Sequence, residues 1–417
     1  MAGGDSELFR VVEKEGALRI LLEQLPRPAL KTGKYPLDEA LGRYLSREVI
    51  SAEDVPSFAR STMDGYAVRA RDTFGASEGS PVYLELSGRV LMGKAATVDV
   101  DPGCCCAIPT GGMLPHGADA VVMIEHTALA GETTVEIIQP VGPGDNVVQA
   151  GEDIRAGAML FKAGRRLQAA DLGALAAVGI GRVNVYEPLK IGILSTGDEI
   201  VDIDSDILPG QVRDINYFAL AGLVRNAGAE PVNLGICRDD AENLRVRLRA
   251  GLDSCHLVLV SGGSSVGVAD LTLSVINKIG RPGVLVHGVS VKPGKPTIIA
   301  LIDGVPVFGL PGHPVSAMDI FRMLVEPVIV YFYGGDLAAE TIKSRLQARL
   351  DRNIASVAGR EDRIRITLEE RNGELWALPV MGRSGLISLM VRADGIAVIP
   401  FEAEGVGRGD IVAVELI

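Results

Sequence analysis

KIGILS (190–195), NYFALAGLVRNAG (216–228), PVNLGI (231–236), DDAENLRVRLRAG (239–251), HLVLVS (256–261), ADLTLSVINKIG (269–280) and VLVHGVSV (284–291) alternate β-like apolar runs with segments of helical period. An apolar helix pattern from Val315 to Tyr333 closes the series. This alternation predicts a parallel sheet covered by helices on both faces, with ligands at the C-terminal ends of the strands. Three glycine-rich turns fall there: VLVSGGSSVGVADLT (258–272), VSVKPGKPT (289–297) and VFGLPGHPVSA (307–317). Free backbone N–H groups at a strand-to-helix turn favour phosphate or carboxylate, and glycine lets a ligand approach the main chain. Lys292 and Lys295 in the middle turn add positive charge, and Asp270 follows the first. Together they point to a phosphorylated ligand with a divalent metal.

Outward from this unit the pattern changes. DEALGRYLSREV (38–49) reads as a short helix and SAEDVPSFARSTMDGYAV (51–68) as an extended, partly turned segment. VYLEL, AVVMIE and TTVEIIQ between Val82 and Gln139 are short strands broken by glycine and proline. A helix is expected over Gln168–Val178, followed by the strand NVYEP. DRIRITLEERNGELWALPV (362–380) alternates on both sides of Asn372-Gly373, a hairpin signal; GIAVIP and DIVAVELI continue the β pattern. The expected organisation is an N-terminal helical and linker region (1–50), a β-rich insertion (51–145), a connecting segment (146–185), the doubly wound α/β domain (186–334) and a small, barrel-like C-terminal β domain (335–417).

Whole-chain properties narrow the function classes. A length of 417 residues with 47% hydrophobic residues supports several cores. A net charge of −12 argues against a general nucleic-acid or anionic-membrane surface, so anion binding is local. The N-terminus lacks a basic stretch followed by an apolar one, and the Val315–Phe332 segment carries Asp319, Arg322 and Glu326, which a membrane span rarely tolerates. The expected location is the cytoplasm. The five cysteines form no CxxC, and Cys104, Cys105 and Cys106 alternate faces along a strand, so reduced structural thiols are expected.

KPGKP is not a Walker A loop: its first glycine is missing and Pro296 stands where Ser or Thr would bind Mg²⁺. No GxGxxG opens a βαβ unit. Gly263-Ser264-Ser265-Val266-Gly267 fits GxSxG after a strand, which would make Ser265 a hydrolase nucleophile with His287 or His313 as base and Asp303 as orienter. No HGGG-type oxyanion segment accompanies it. Among the carboxylates next to turns (Asp64, Asp153, Asp198, Glu199, Asp239, Asp270), several suit helix caps or turns. Glu199 and Asp270 both follow strands of the sheet and are read as a Mg²⁺ pair completed by ligand phosphates. Arg213, Asp214 and Asn216 are caps or polar ligands. Ser316 is a cap or an oxyanion donor, and His313 a turn residue.

Taken as an ordered set, STMDGYAV, IPTGGMLPHGADAVVMIE, GEDIRAGAML, LSTGDEI, GQVRDIN, SGGSSVGVAD, VKPGKPT, GLPGHPVSA and GRSGLISLM resemble the molybdopterin molybdenumtransferases, the MoeA family, and the similar C-terminal domain of gephyrin. The resemblance implies a central molybdopterin-binding fold of MogA type. It also implies insertion of molybdate into adenylylated molybdopterin with AMP release and Mg²⁺ assistance, on an elongated homodimer whose cleft faces the partner's β-rich region. Asp64, Thr110, Asp153, Glu199, Asp239 and Asp270 would then be the functional polar set. Thr196 and the turn Gly262, Gly263, Ser264, Ser265 would hold the pterin phosphate and nucleotide, with Asn216 a further cofactor-binding residue. Lys292, Lys295, Arg213, Pro311, Gly312 and Ser316 would serve molybdate or pyrophosphate. A molybdopterin adenylyltransferase and apo-molybdoenzymes would be exchange partners. His313 stands where many relatives carry Asn, and GSSVG replaces GVSVG. A non-catalytic scaffold of the same fold is the alternative.

Overall fold

A computed structural model describes residues 11–262, 268–337 and 345–417. At its centre is a six-stranded sheet. Its elements are β1 (Lys190–Thr196), α1 (Ile215–Asn226), β2 (Glu230–Cys237), α2 (Ala241–Ser254), β3 (Leu257–Ser261), α3 (Val268–Ile279), β4 (Pro282–His287), β5 (Ile298–Ile302), β6 (Val305–Leu310) and α4 (Pro314–Ile320). The strand order is β2-β1-β3-β6-β5-β4. The first four strands are parallel, while β5 and β4 are antiparallel additions. Parallel pairing needs a crossover of a dozen residues or more, and the KPGKP segment between β4 and β5 is too short to supply one. The middle turn therefore joins two strands and has no helix dipole behind it, contrary to the strand-to-helix expectation. The chain reverses its winding direction at β1, so the crevice between β1 and β3 is the switch point where ligands bind in such sheets.

Hydrophobic side chains of both sheet faces form two cores. One contains Ile191, Ile193, Leu259, Phe308 and Phe321, the other Leu194, Leu248, Val260 and Ala300. Ala17 and Leu21 of a helix at Lys14–Leu22 belong to the first core, so the chain's beginning packs on the α/β domain. The helix expected over 38–49 does not form. A single 3₁₀ turn, Leu37–Glu39, is followed by Gly42 at φ +75° and a strand at Val49–Ile50. Thr32–Pro36 pairs with Arg182–Tyr186, and Val49–Ile50 with Met159–Phe161. The segments 1–50 and 146–185, read apart in the sequence, thus share strand pairs. The helix at Ala169–Ala177 forms as expected, with Gln168 and Asp171 in a reciprocal capping box.

The β-rich insertion is a sheet of six strands in the order Ala120–Met123, Gly65–Val68, Cys104–Ile108, Val82–Arg89, Thr134–Ile137, Thr127–Leu129. The C-terminal strands Glu361–Arg371, Glu374–Pro379, Arg345–Leu350, Ile411–Leu416 and Gly395–Ile399 pair one after another and back onto Glu361–Arg371, closing a small barrel. The expected hairpin is present, with Asn372 at φ 52° and Gly373 at φ 80°. Val291–Lys292 of the lysine turn adds a parallel strand to the barrel at Glu361–Asp362. No helix among the described residues is long and apolar enough to cross a membrane.

Candidate functional site

The crevice is built where β1, β3 and β6 end. Thr196 is buried, and its Oγ1 donates to the carbonyl of Ser261 at 3.3 Å. Gly262 then turns the chain directly over β1: its N–H donates to Leu310 O at 3.1 Å, its φ is +97°, and a Cβ there would lie 2.2 Å from Thr196 O. Only glycine permits that approach. Asn216, 6% exposed at the start of α1, donates from Nδ2 to Ser261 Oγ and to Gly312 O, both at 2.8 Å. One amide thus ties the first turn to the third. Pro311 and Ser316 are buried and Gly312 is exposed. Gly263, Ser264 and Ser265, and with them the GxSxG reading, lie outside the described residues.

Carboxylates gather beside this crevice. Asp198 and Glu199 follow β1 and Asp239 follows β2; the N–H of Asp239 donates to Asp198 Oδ1 at 3.3 Å. Partial burial, and then the charges of Asp198 and Glu199, push the Asp239 carboxyl above the ordinary range. Asp240, not Asp239, caps α2, accepting from Asn243 N at 2.8 Å. Asp270 is exposed in the first turn of α3, and its charge acts on His287, whose imidazole is lowered by burial and partly restored by Asp270. Asp239 is thus electrostatically linked to Glu199, which the sequence had paired with Asp270. No group of three or more His, Cys, Asp or Glu among the described residues would hold a metal unaided. Mutual repulsion at Asp198, Glu199 and Asp239 nevertheless fits a Mg²⁺ that takes its remaining ligands from phosphate and water.

The lysine turn is moored to the barrel. Lys292 Nζ lies 3.9 Å from Asp362 Oδ2, and Asp362, 1% exposed, receives Arg360 through Nε at 2.6 Å and Nη2 at 3.0 Å. A buried carboxylate thus aims two cations, Lys292 and Arg360, beside exposed Lys295. Arg213 is not available in this way: its Nε donates to Ile203 O at 2.8 Å and its Nη2 to Ser205 O at 3.3 Å, so it braces its own loop. His313 Nδ1 is 2.9 Å from Ser384 Oγ, and Val315 N donates to Ser384 O at 3.3 Å. Arg360 and Ser384 had no assigned role in the sequence. GRSGLISLM was noted as a motif, but nothing in its spacing tied Ser384 to His313.

Comparison with known proteins agrees with this layout. The pattern of the MoeA N-terminal region (domain I and II) matches residues 12–179, that of a probable molybdopterin binding domain residues 192–330, and that of the MoeA C-terminal region (domain IV) residues 347–417. A molybdopterin molybdenumtransferase of Haemophilus influenzae is 33% identical over 95% of this chain and 96% of its own. The chain belongs to the MoeA family. A putative molybdopterin biosynthesis protein of Methanocaldococcus jannaschii is 34% identical, with 93% of this chain and 92% of that one covered. The crystal structure of a molybdopterin biosynthesis MoeA protein from Pyrococcus horikoshii OT3 superposes with a TM-score of 0.79 at 30% identity, covering 98% of this chain and 100% of that one.

In this MoeA-family chain the β-rich insertion brings Asp64 and Thr110 together across 46 residues. Asp64 Oδ1 accepts from Thr110 N at 2.7 Å and from Thr110 Oγ1 at 3.0 Å. Those bonds, the backbone one foremost, hold the Asp64 carboxyl below its usual value. Asp153 is exposed, and its N–H donates to Val55 O at 3.1 Å. Among the described residues, the hydrogen bonds of Asp64, Thr110 and Asp153 stay within their own part of the chain and do not reach the crevice. The five cysteines are free; burial, followed by the neighbouring Cys106 and Cys104, pushes the Cys105 thiol up to about 12, consistent with a packing role. Asp303 sits just before β6, at the end of that strand opposite the crevice, and accepts from Arg281 N at 3.2 Å. Asp303 is therefore not the orienter of His313.

Proposed function

We propose that this protein is a molybdopterin molybdenumtransferase that inserts molybdate into adenylylated molybdopterin and releases AMP. The observation that carries this reading is the buried Asp362 holding Arg360 and Lys292, the latter on a turn at the same end of the sheet as the switch-point crevice. Molybdate and the pterin phosphate are both anions, and cations fixed in advance offset their repulsion without reorganising during reaction. On this reading the phosphates sit at the switch-point crevice beside Thr196, while Asn216 keeps the first and third turns at a set separation. Hydrolysis of the phosphoanhydride is then positioning and charge neutralisation, yielding AMP and the pterin phosphate. Mg²⁺ bound at Glu199 and Asp239, with Asp270 in the first turn of α3, would supply charge neutralisation at those phosphates.

The site is completed in a homodimer on this reading. Exposed apolar residues flank both halves: Met63 (41%) and Ile124 (52%) beside Asp64, Leu208 (63%) and Val212 (52%) beside Glu199. A second copy that seats one patch on the other brings Asp64, Thr110 and Asp153 to the crevice. The acidic net charge argues against a nucleic-acid or anionic-membrane surface, and on this reading the protein acts in the cytoplasm with an adenylyltransferase upstream and apo-molybdoenzymes downstream. Purified protein given adenylylated molybdopterin, Mg²⁺ and molybdate should release AMP and yield a cofactor that reconstitutes an apo-molybdoenzyme. Absence of molybdate-dependent AMP release would reject the transferase reading, and tight binding without release would leave a scaffold.

A further inference from the structure

The strand Glu361–Arg371 has two working faces. Asp362 turns toward the lysine turn, whereas residues 361, 363 and 365 share the opposite face by strand period. That face is buried: Arg363 is 2% exposed and Arg365 5%. Arg365 Nη2 donates to Asp319 Oδ2, its Nη1 donates to Arg363 O at 2.8 Å, and its Nε lies 3.4 Å from Met390 Sδ. Asp319 is fully buried on α4, the helix that begins at the third turn, and lies in the same helix as Ser316. Met390 lies in the short helix Ser388–Arg392 that follows the loop carrying Ser384. One guanidinium therefore touches the segment behind His313 and the segment behind Ser384, the two residues that meet across the domain boundary.

Stability alone does not account for this pair. Asp319 Oδ1 is buried with no hydrogen-bond partner among the described residues, although the charges of Arg363 and Arg322 also act on the carboxylate. A buried ion pair of this kind is commonly no more stabilising than apolar residues of similar volume, and its best-attested use is to fix register. Val315, Leu389 and Met390 already supply apolar packing at the same boundary.

We infer that Asp319 and Arg365 are positioning residues for the oxyanion pocket, locking the His313 and Ser316 turn in register with the strand whose other face holds Lys292 and Arg360. The inference rests on the transferase reading and deepens it. Asp319→Asn should raise the KM for molybdate about tenfold, in the range expected for displacement of a site by remote changes. KM for adenylylated molybdopterin and kcat at saturating molybdate should stay within about twofold, because among the described residues no hydrogen bond or ion pair of Asp319 or Arg365 reaches the crevice between β1 and β3. Asp319→Leu combined with Arg365→Met retains the volume and removes both charges; the molybdate KM should remain raised, while the thermal stability falls only modestly because Arg322 and Arg363, which Asp319 also faces, lose part of their compensation. A molybdate KM at the wild-type value in either variant, or equal losses for both substrates, would overturn the inference. Should the wild type release no AMP, the transferase reading fails by itself, and hydrogen exchange decides the positioning role. Residues 310–317 and 381–388 should then exchange faster in Asp319→Asn while β1 is unchanged, and equal rates throughout would refute it.

Discussion

Replacing Gly262 by alanine tests the crevice most directly. Two penalties add at this position. The left-handed backbone, φ +97°, costs a non-glycine residue roughly 1–2 kcal/mol. The new Cβ would stand 2.2 Å from Thr196 O, a backbone atom of β1, and forcing a neighbouring strand aside costs roughly 1–3 kcal/mol. Gly210 supplies the control, since its φ is +89° but nothing lies within 4 Å of its Cβ position. Gly210→Ala should therefore lose only the backbone part. Taking about 3 kcal/mol for Gly262→Ala, and about 2–4 °C per kcal/mol for a domain of this size, its unfolding temperature should fall by about 6–12 °C. Differential scanning calorimetry of both variants separates the two contributions. Displacing Thr196 also disturbs its bond to Ser261, so molybdate-dependent AMP release should drop with stability. Equal melting temperatures for the two variants would show that the collision is relieved at no cost, and the crevice would not be the closed cradle described above.

Three other outcomes follow from the geometry. Thr110→Val removes the hydroxyl donor to Asp64 but keeps the backbone donor, the larger cause of the lowered carboxyl; an NMR titration should show the Asp64 pKa rising only part of the way to its ordinary value. Asp239, raised by burial and by Asp198 and Glu199, binds its proton more tightly folded than unfolded, so its contribution to stability is present at low pH and is lost as pH rises above the ordinary carboxylate range. Asp239→Asn should flatten that part of the denaturation profile and raise stability at neutral pH, while lowering activity. Asn216→Ala leaves Gly312 O and Ser261 Oγ without their shared donor and should cost about 1–3 kcal/mol in urea unfolding.

The α/β alternation was legible because period and length separate its strands from its helices. The antiparallel pair β4 and β5 was not, since VLVHGVSV has the same apolar run as a parallel strand and only the short KPGKP link distinguishes them. The 38–49 segment misled for a related reason: Ala40, Tyr44 and Leu45 are buried at near-helical spacing, yet Gly42 breaks the helix between them. Individual site residues were visible as residue types beside turns. Their pairings were not, because Asp64 with Thr110, Lys292 with Asp362 and His313 with Ser384 are joined by tertiary folding rather than by any local period. Arg213 shows the converse, a cation in a promising motif that the backbone of its own loop has already engaged.

The pairing of Val291–Lys292 with Glu361–Asp362 also sets an order of events during synthesis. Domains emerging from the ribosome fold from the N-terminus onward. A nascent chain that has cleared residue 337 exposes every strand of the central sheet, but Asp362, which pairs with Lys292, has not yet emerged. On the transferase reading, oxyanion capture is thus among the last properties the polypeptide acquires, and a product terminated before residue 362 lacks the carboxylate that pairs with its cations.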